Sequence, residues 1–287
     1  MPILTAFGGT SGRQFMFGGG ALGPPTEVSF LVVAGGGSGG YGSGGGAGGY
    51  RSAWNGETSG GGGAAESNHP VTTGVAYTVT IGAGGATSPT EGAQGTSSVF
   101  DTITTVGGGR GRDYPPPGNL RPGGPGGSGG AGKSGDGPVG TSPGGTGTAN
   151  QGYPGGANIG TGGPGGTSGG GGGGAGGAGQ NGDAYNAPVS PGDPGPGQAS
   201  TITGSSVTRG RGGTSRFWAY VAPDGANFGG GGSSSTSVPA TNADSGVVIL
   251  RFAGSTPTIG AGLTYSEATV GGDTVLTFTA GTDTITW

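Results

Sequence analysis

Few residues in this 287-residue chain are of kinds that do chemistry, and their spacing serves it poorly. Gly127-Ser128-Gly129-Gly130-Ala131-Gly132-Lys133-Ser134 fits the phosphate-loop pattern G-x-x-x-x-G-K-[ST]. In that loop backbone amides cradle phosphates and the lysine reaches the terminal ones, but it needs an apolar strand before it and a helix after it. Here Pro122 and Pro125 precede it, and Gly135, Gly137 and Pro138 follow. Among 84 glycines, a Lys-Ser pair completes the pattern by composition alone. His69, the sole histidine, precedes Pro70 in a polar stretch, and nothing nearby marks a nucleophile for a Ser-His-Asp site. With no cysteine there is neither a disulfide framework nor a thiolate metal site. The 14 acidic residues are scattered singly, so no calcium loop is marked. No catalytic residue, metal site or cofactor is assigned, and the chain is expected not to be an enzyme.

Binding chemistry is better represented. Arg110-Gly111-Arg112 and Arg209-Gly210-Arg211-Gly212-Gly213 resemble arginine-glycine segments that bind RNA. A pI near 4.8 and a net charge of −4 oppose that reading, because binding along a phosphate backbone relies on clustered positive charge. The bland alternative is that these arginines cap backbone segments or bond exposed carbonyls. Aromatic residues beside polar groups interrupt the glycine-rich stretches: Tyr50 and Trp54, Tyr114, Tyr153, Tyr185, and the trio Phe217, Trp218 and Tyr220. Tyrosine and tryptophan pair an apolar face with a polar tip and recur where one surface recognises another. Any one of them can instead fold back to cover the scaffold. As a set they are candidate receptor-contacting residues on loops held by a frame.

The elements that would hold such loops are of two kinds. Val28–Ala34 and Val247–Phe252 are short, nearly continuous apolar runs. Val75–Ile81 alternates apolar and polar residues, and Ser97–Val106 continues in the same style. Leu263–Trp287 reads as a hairpin and more: Tyr265–Val270, a turn at Gly271-Gly272-Asp273, Val275–Thr279 and Ile285–Trp287. No 3.6-residue apolar period occurs, so helix is expected to be almost absent. The expected fold is an all-β platform with a body of packed polyglycine II helices. Its divisions are a leader or attachment segment over 1–26, the platform with the first glycine rungs over 27–106, the polyglycine body with projecting loops over 107–246, and closing strands over 247–287.

The body rests on the glycine spacing. Glycine recurs every third residue at 123, 126, 129, 132 and 135, and again at 160, 163, 166, 169 and 172. The phase then resets, which a collagen array does not allow. Three residues per turn and about 3.1 Å of rise describe a left-handed extended helix without internal hydrogen bonds. Several such rungs side by side can satisfy one another's N–H and C=O groups if the interior rungs are nearly pure glycine. Outer rungs can carry Ser, Thr, Ala or Pro on the one residue in three that meets solvent. Ordering costs about 1–2 kcal/mol per residue and a net hydrogen bond returns about 0.5–1.5 kcal/mol, so the stack needs a platform to start it. Composition alone also permits a disordered chain, although 8% charged residues supply little repulsion to keep one open.

The ordered series FLVVAGGGSGGYGSGGGAGGYR, YTVTIGAGG, VFDTITTVGGGRG, a long glycine-rich body and GVVILRF, over roughly 28–252, resembles the glycine-rich domain of bacteriophage tail-fibre, adhesin and other virion structural proteins. The terminal YSEATVGGDTVLTFTAGTDTITW resembles strands that flank this domain. The resemblance implies a virion fibre or adhesin whose rigid polyglycine II sandwich presents loops to a host cell-surface protein or glycan, with no nucleic-acid partner. Residues 1–26 would engage other virion proteins, and a homo-oligomer is compatible with it. A purely structural fibre or capsid decoration without receptor binding is the alternative, and an arginine-glycine nucleic-acid binder a third. The N-terminus has no charged start followed by an apolar run, and no stretch approaches the roughly 20 apolar residues of a membrane span. A virion protein made in the host cytoplasm, without membrane insertion, is the expectation.

Overall fold

The computed structural model describes residues 23–87, 91–112, 120–134, 140–159, 169–182, 191–215, 227–233 and 242–287. The platform strands come first: β1 (Glu27–Val33), β2 (Tyr50–Ser52), β3 (His69–Pro70), β4 (Ala76–Thr80), β5 (Ser98–Phe100) and β6 (Ile103–Thr105). Six short strands follow: β7 (Leu120–Arg121), β8 (Lys133–Ser134), β9 (Thr141–Ser142), β10 (Asn158–Ile159), β11 (Gln198–Ser200) and β12 (Val207–Arg209). The chain then returns through β13 (Val247–Phe252), β14 (Thr258–Ile259), β15 (Leu263–Val270) and β16 (Asp273–Thr286). The only helical element among the described residues is a single 3-10 turn at Gly60–Gly62, so the near-absence of helix holds.

Ten strands form one antiparallel sheet in the order β2-β1-β13-β16-β4-β5-β6, with β3, β14 and β15 paired off this path. The sheet curls until its ends nearly meet. Phe30 of β1 and Phe100 of β5 pack with ring centroids 6.4 Å apart, and Arg51 of β2 donates to the Thr104 carbonyl of β6 at 3.3 Å. Gln151 stitches the same seam. Its backbone carbonyl accepts from Tyr50 N–H and its side-chain carbonyl accepts from Val106 N–H at 2.8 Å.

The apolar runs are continuous because both of their faces are buried. Val28, Phe30 and Val32 point inward with Val79, Phe100, Leu250, Leu276, Phe278 and Trp287. Leu31 and Val33 point outward into a second cluster with Tyr50, Ile202, Val247, Ile249 and Val275. The terminal hairpin differs from the sequence expectation in one respect. Residues 273–286 form a single strand that runs through Gly281, whose φ of 99° lets β16 leave β13 and β15 and pair with β4 and β14.

The glycine body grows directly out of these strands. β1 runs into 34–40, β2 is entered from 43–49, and 106–112 continues from β6. Platform and body are therefore interleaved along the chain rather than consecutive. The segment 43–49, read from the sequence as part of the platform's first glycine rungs, lies at the centre of the body. It donates to 229–232 through Gly45 and Gly48, to 106–109 through Gly46 and Gly49, and to Gly173 through Ala47. It accepts from Ala34 and Gly37, from Ser128 and Ala131, and from Gly213. Residues three apart address the same neighbour. A Cβ on Gly44, Gly45 or Gly46 would sit under 3.0 Å from the carbonyl oxygens of Gly213, Gly37 and Ser128 respectively, so glycine is obligatory here for space.

Outer segments turn side chains to solvent around buried glycines. Pro143 and Thr146 are exposed around buried Gly145, and Ala83 and Ala86 are exposed around buried Gly82 and Gly85.

Candidate recognition end

The body has two distinguishable ends. At one end the segments join the platform. At the other, the turn Gly40–Ser43 reverses the chain through Gly42, whose φ is 75°. The backbone N–H of Arg112 donates to Ser43 Oγ at 2.6 Å, which brings the end of 106–112 to this turn. Leu120 pairs with Ser134, Thr141 with Ile159, Ile159 N–H donates to Gly182 O, and Gly192 N–H to Gly169 O. Thr87 N–H donates to Asn242 Oδ1 at 2.8 Å. These bonds place the segment ends Arg112 and Leu120, Ser134 and Gly140, Ile159 and Gly169, Gly182 and Pro191, and Thr87 and Asn242 on one end face, away from the sheet.

Three large side chains are exposed on that face: Tyr41 at 45%, Leu120 at 42% and Ile159 at 41%. Tyr41 was not among the aromatics singled out from sequence. Its signal was present, because it is the one aromatic inside the run 34–49 and sits between Gly40 and Gly42. Arg110 and Arg112 both reach Glu91, and Arg112 Nε donates to Pro122 O at 2.6 Å. That is the capping role weighed for the arginine-glycine segments. Arg209 is buried, its guanidinium 5.7 Å above the Phe228 ring, and burial lowers its pKa.

The sequence-predicted contact residues are not brought together. Tyr50 must be withdrawn, because it is wholly buried in a cluster with Leu31, Val33 and Ile202 and does not reach the surface. Burial, then the nearby Glu57 carboxylate, push that hydroxyl well above the usual tyrosine range. Trp54 is half-buried at the outer end of the platform, with the Arg251 guanidinium 4.2 Å over its ring. Tyr153 is half-buried beside the Gly60–Gly62 turn, at the platform end of the body. Tyr114, Tyr185, Phe217, Trp218 and Tyr220 lie outside the described residues, as does the leader up to residue 22.

The phosphate-loop pattern forms no cradle. The amides of Gly127, Ser128, Gly129, Gly130, Ala131 and Gly132 donate to the carbonyls of Gly107, Ala47, Tyr153, Gly124, Gly44 and Gly156, and Lys133 is buried. His69 faces Asp101, Nε2 to Oδ2 at 3.2 Å, and packs edge-on against Phe100 and Tyr77. It braces the junction of β3 with the β5–β6 turn.

Fold and end face together define an all-β, glycine-packed scaffold with its segment ends gathered opposite a β platform. The chain belongs to the glycine-rich domain family, whose model matches residues 21–253. No curated protein and no solved structure matches it.

Proposed function

We propose that this protein is a phage virion fibre or adhesin. In this reading the glycine segments are polyglycine II helices, and the end face opposite the platform meets a host cell-surface protein or glycan. The observation that carries the reading is the gathering of segment ends at one face, with Tyr41, Leu120 and Ile159 exposed there. A frame whose backbone groups are bonded internally holds that face with little conformational freedom, which lowers the entropy lost on binding. The three aromatic and aliphatic side chains supply apolar anchors of the kind that dominate recognition surfaces.

The test is binding of the labelled protein to whole bacterial cells from a panel of strains, followed by the triple variant Tyr41→Ala, Leu120→Ser, Ile159→Ser. Saturable binding to some strains that falls at least about tenfold in the variant, with an unchanged melting temperature, is expected. Equal binding by variant and parent would remove the end face from the function.

A further inference from the structure

At the opposite end of the molecule, where β1 begins and β13 ends, an open pocket of about 310 Å³ is lined by Glu27, Ser29, Trp54, Asn68, Arg251 and Asp273 among others. Its polar side chains are fixed in advance. Ser29 Oγ donates to Asn68 Oδ1 at 2.9 Å, and Asn68 Nδ2 donates to Glu27 Oε1 at 3.0 Å. Arg251 Nε donates to Asp273 Oδ2 at 2.9 Å, while its other nitrogens bond the Ile202 and Val270 carbonyls. The same guanidinium lies over Trp54, and the indole Nε1–H donates to Thr201 Oγ1 at 3.0 Å, which locks the ring plane.

These bonds leave capacity on side chains that line the pocket. The second oxygens of the Glu27 and Asp273 carboxylates and the second N–H of the Asn68 amide are not used in them. Arg251 spends three of its five N–H donors on Asp273, Ile202 and Val270.

We infer that this pocket is a binding site for a neutral pyranose unit of a glycan. The chemistry selects that class in three ways. Carboxylate and amide oxygens accept from vicinal hydroxyls, and the amide N–H donates back to one of them. The Trp54 indole in the wall adds apolar contact beside these polar groups, as the C–H groups of a sugar ring require. Two carboxylates against one guanidinium leave the pocket net negative, which disfavours anionic sugars and phosphates. The volume sits at the lower end of ligand pockets, roughly 300–1,000 Å³, and suits one ring-sized unit. The site is separate from the end face of the proposed function and stands or falls independently of it.

The experiment is titration of the full chain with the methyl glycosides of glucose, galactose, mannose and N-acetylglucosamine, read by tryptophan fluorescence and by ligand-observed NMR. At least one should bind saturably with a Kd on the order of 1 mM. Asn68→Ala and, as a second variant, Glu27→Gln should each weaken it about tenfold with the melting temperature retained, while the end-face triple variant leaves it unchanged. Absence of saturable binding by all four glycosides would overturn the inference. So would retained affinity in both pocket variants, or binding of sialic acid or glucose 6-phosphate in preference to the neutral sugars.

Discussion

The platform and the glycine body are held together by opposite parts of the polypeptide. In the platform, side chains do the work: Phe30, Phe100, Leu250, Leu276 and Phe278 fill an enclosed interior, and hydrogen bonds follow ordinary antiparallel ladders. In the body, most interior positions are glycines with no room for a Cβ, and each segment is fixed by main-chain bonds running in several directions at once. The difference lies in what a substitution removes. A platform residue cut back leaves a cavity that neighbours partly fill, whereas an added methyl in the body meets a carbonyl that has nowhere to go. Stability in the first region grows with apolar volume; in the second it depends on the absence of volume.

The sharpest way to break this comparison is a single methyl at the centre. In Gly45→Ala the new Cβ falls under 3.0 Å from Gly37 O, in a segment bonded on all sides. The expected result is loss of the cooperative fold, an effect beyond the roughly 4–5 kcal/mol at which single substitutions become exceptional. Thermal melting and peptide-resolved amide exchange over 34–49 and 106–112 read it directly. The reverse change two residues on, Ala47→Gly, should cost only about 1 kcal/mol, because the site loses a methyl it already accommodates. Similar melting curves for the two variants would mean the body is loosely packed and the contrast fails.

A platform truncation comes next in size. Phe100→Ala removes a fully buried ring that contacts Phe30, Tyr77 and His69, and should cost about 3–5 kcal/mol. Its signature differs from that of Gly45→Ala: faster exchange should spread through β1, β4 and β13 before it reaches the central segments. Exchange that rises first in 43–49 would show that the body leans on the platform core for its order.

The platform was legible in the sequence because side chains encode it. The apolar run Val28–Ala34, the alternation in Val75–Ile81 and the turn at Gly271-Gly272 correspond to β1, β4 and the β15–β16 turn. The body was legible only as a glycine-rich stretch. Glycine has no side chain with which to name a partner, and the bonds of 43–49 reach as far along the chain as Gly229 and Gly232. Nothing local distinguishes the central segment from an outlying one. The same gap explains the aromatics. Tyr50 carries the polar neighbours of a contact residue, yet its place in β2 opposite Val33 turns it into the core. Tyr41, in an unremarkable glycine turn, is carried to the end face by segment lengths that no periodicity marks.

The smallest predicted effect probes a platform side chain held by main-chain amides. Asp283, half-buried, accepts from the backbone N–H of Gly262 at 2.9 Å and of Thr284 at 2.8 Å, and these amides hold its carboxyl below the usual range. A depressed folded pKa means that the ionised form is the one the fold favours. Its contribution is complete above the unfolded value of about 3.9 and is lost as pH falls through the lower folded value. Wild type should therefore melt slightly above Asp283→Asn at neutral pH, and the gap should close on acidification below about pH 4. A gap that stays constant into strong acid would assign the difference to side-chain shape, and the two main-chain donors would then carry no charge-dependent stability at this corner.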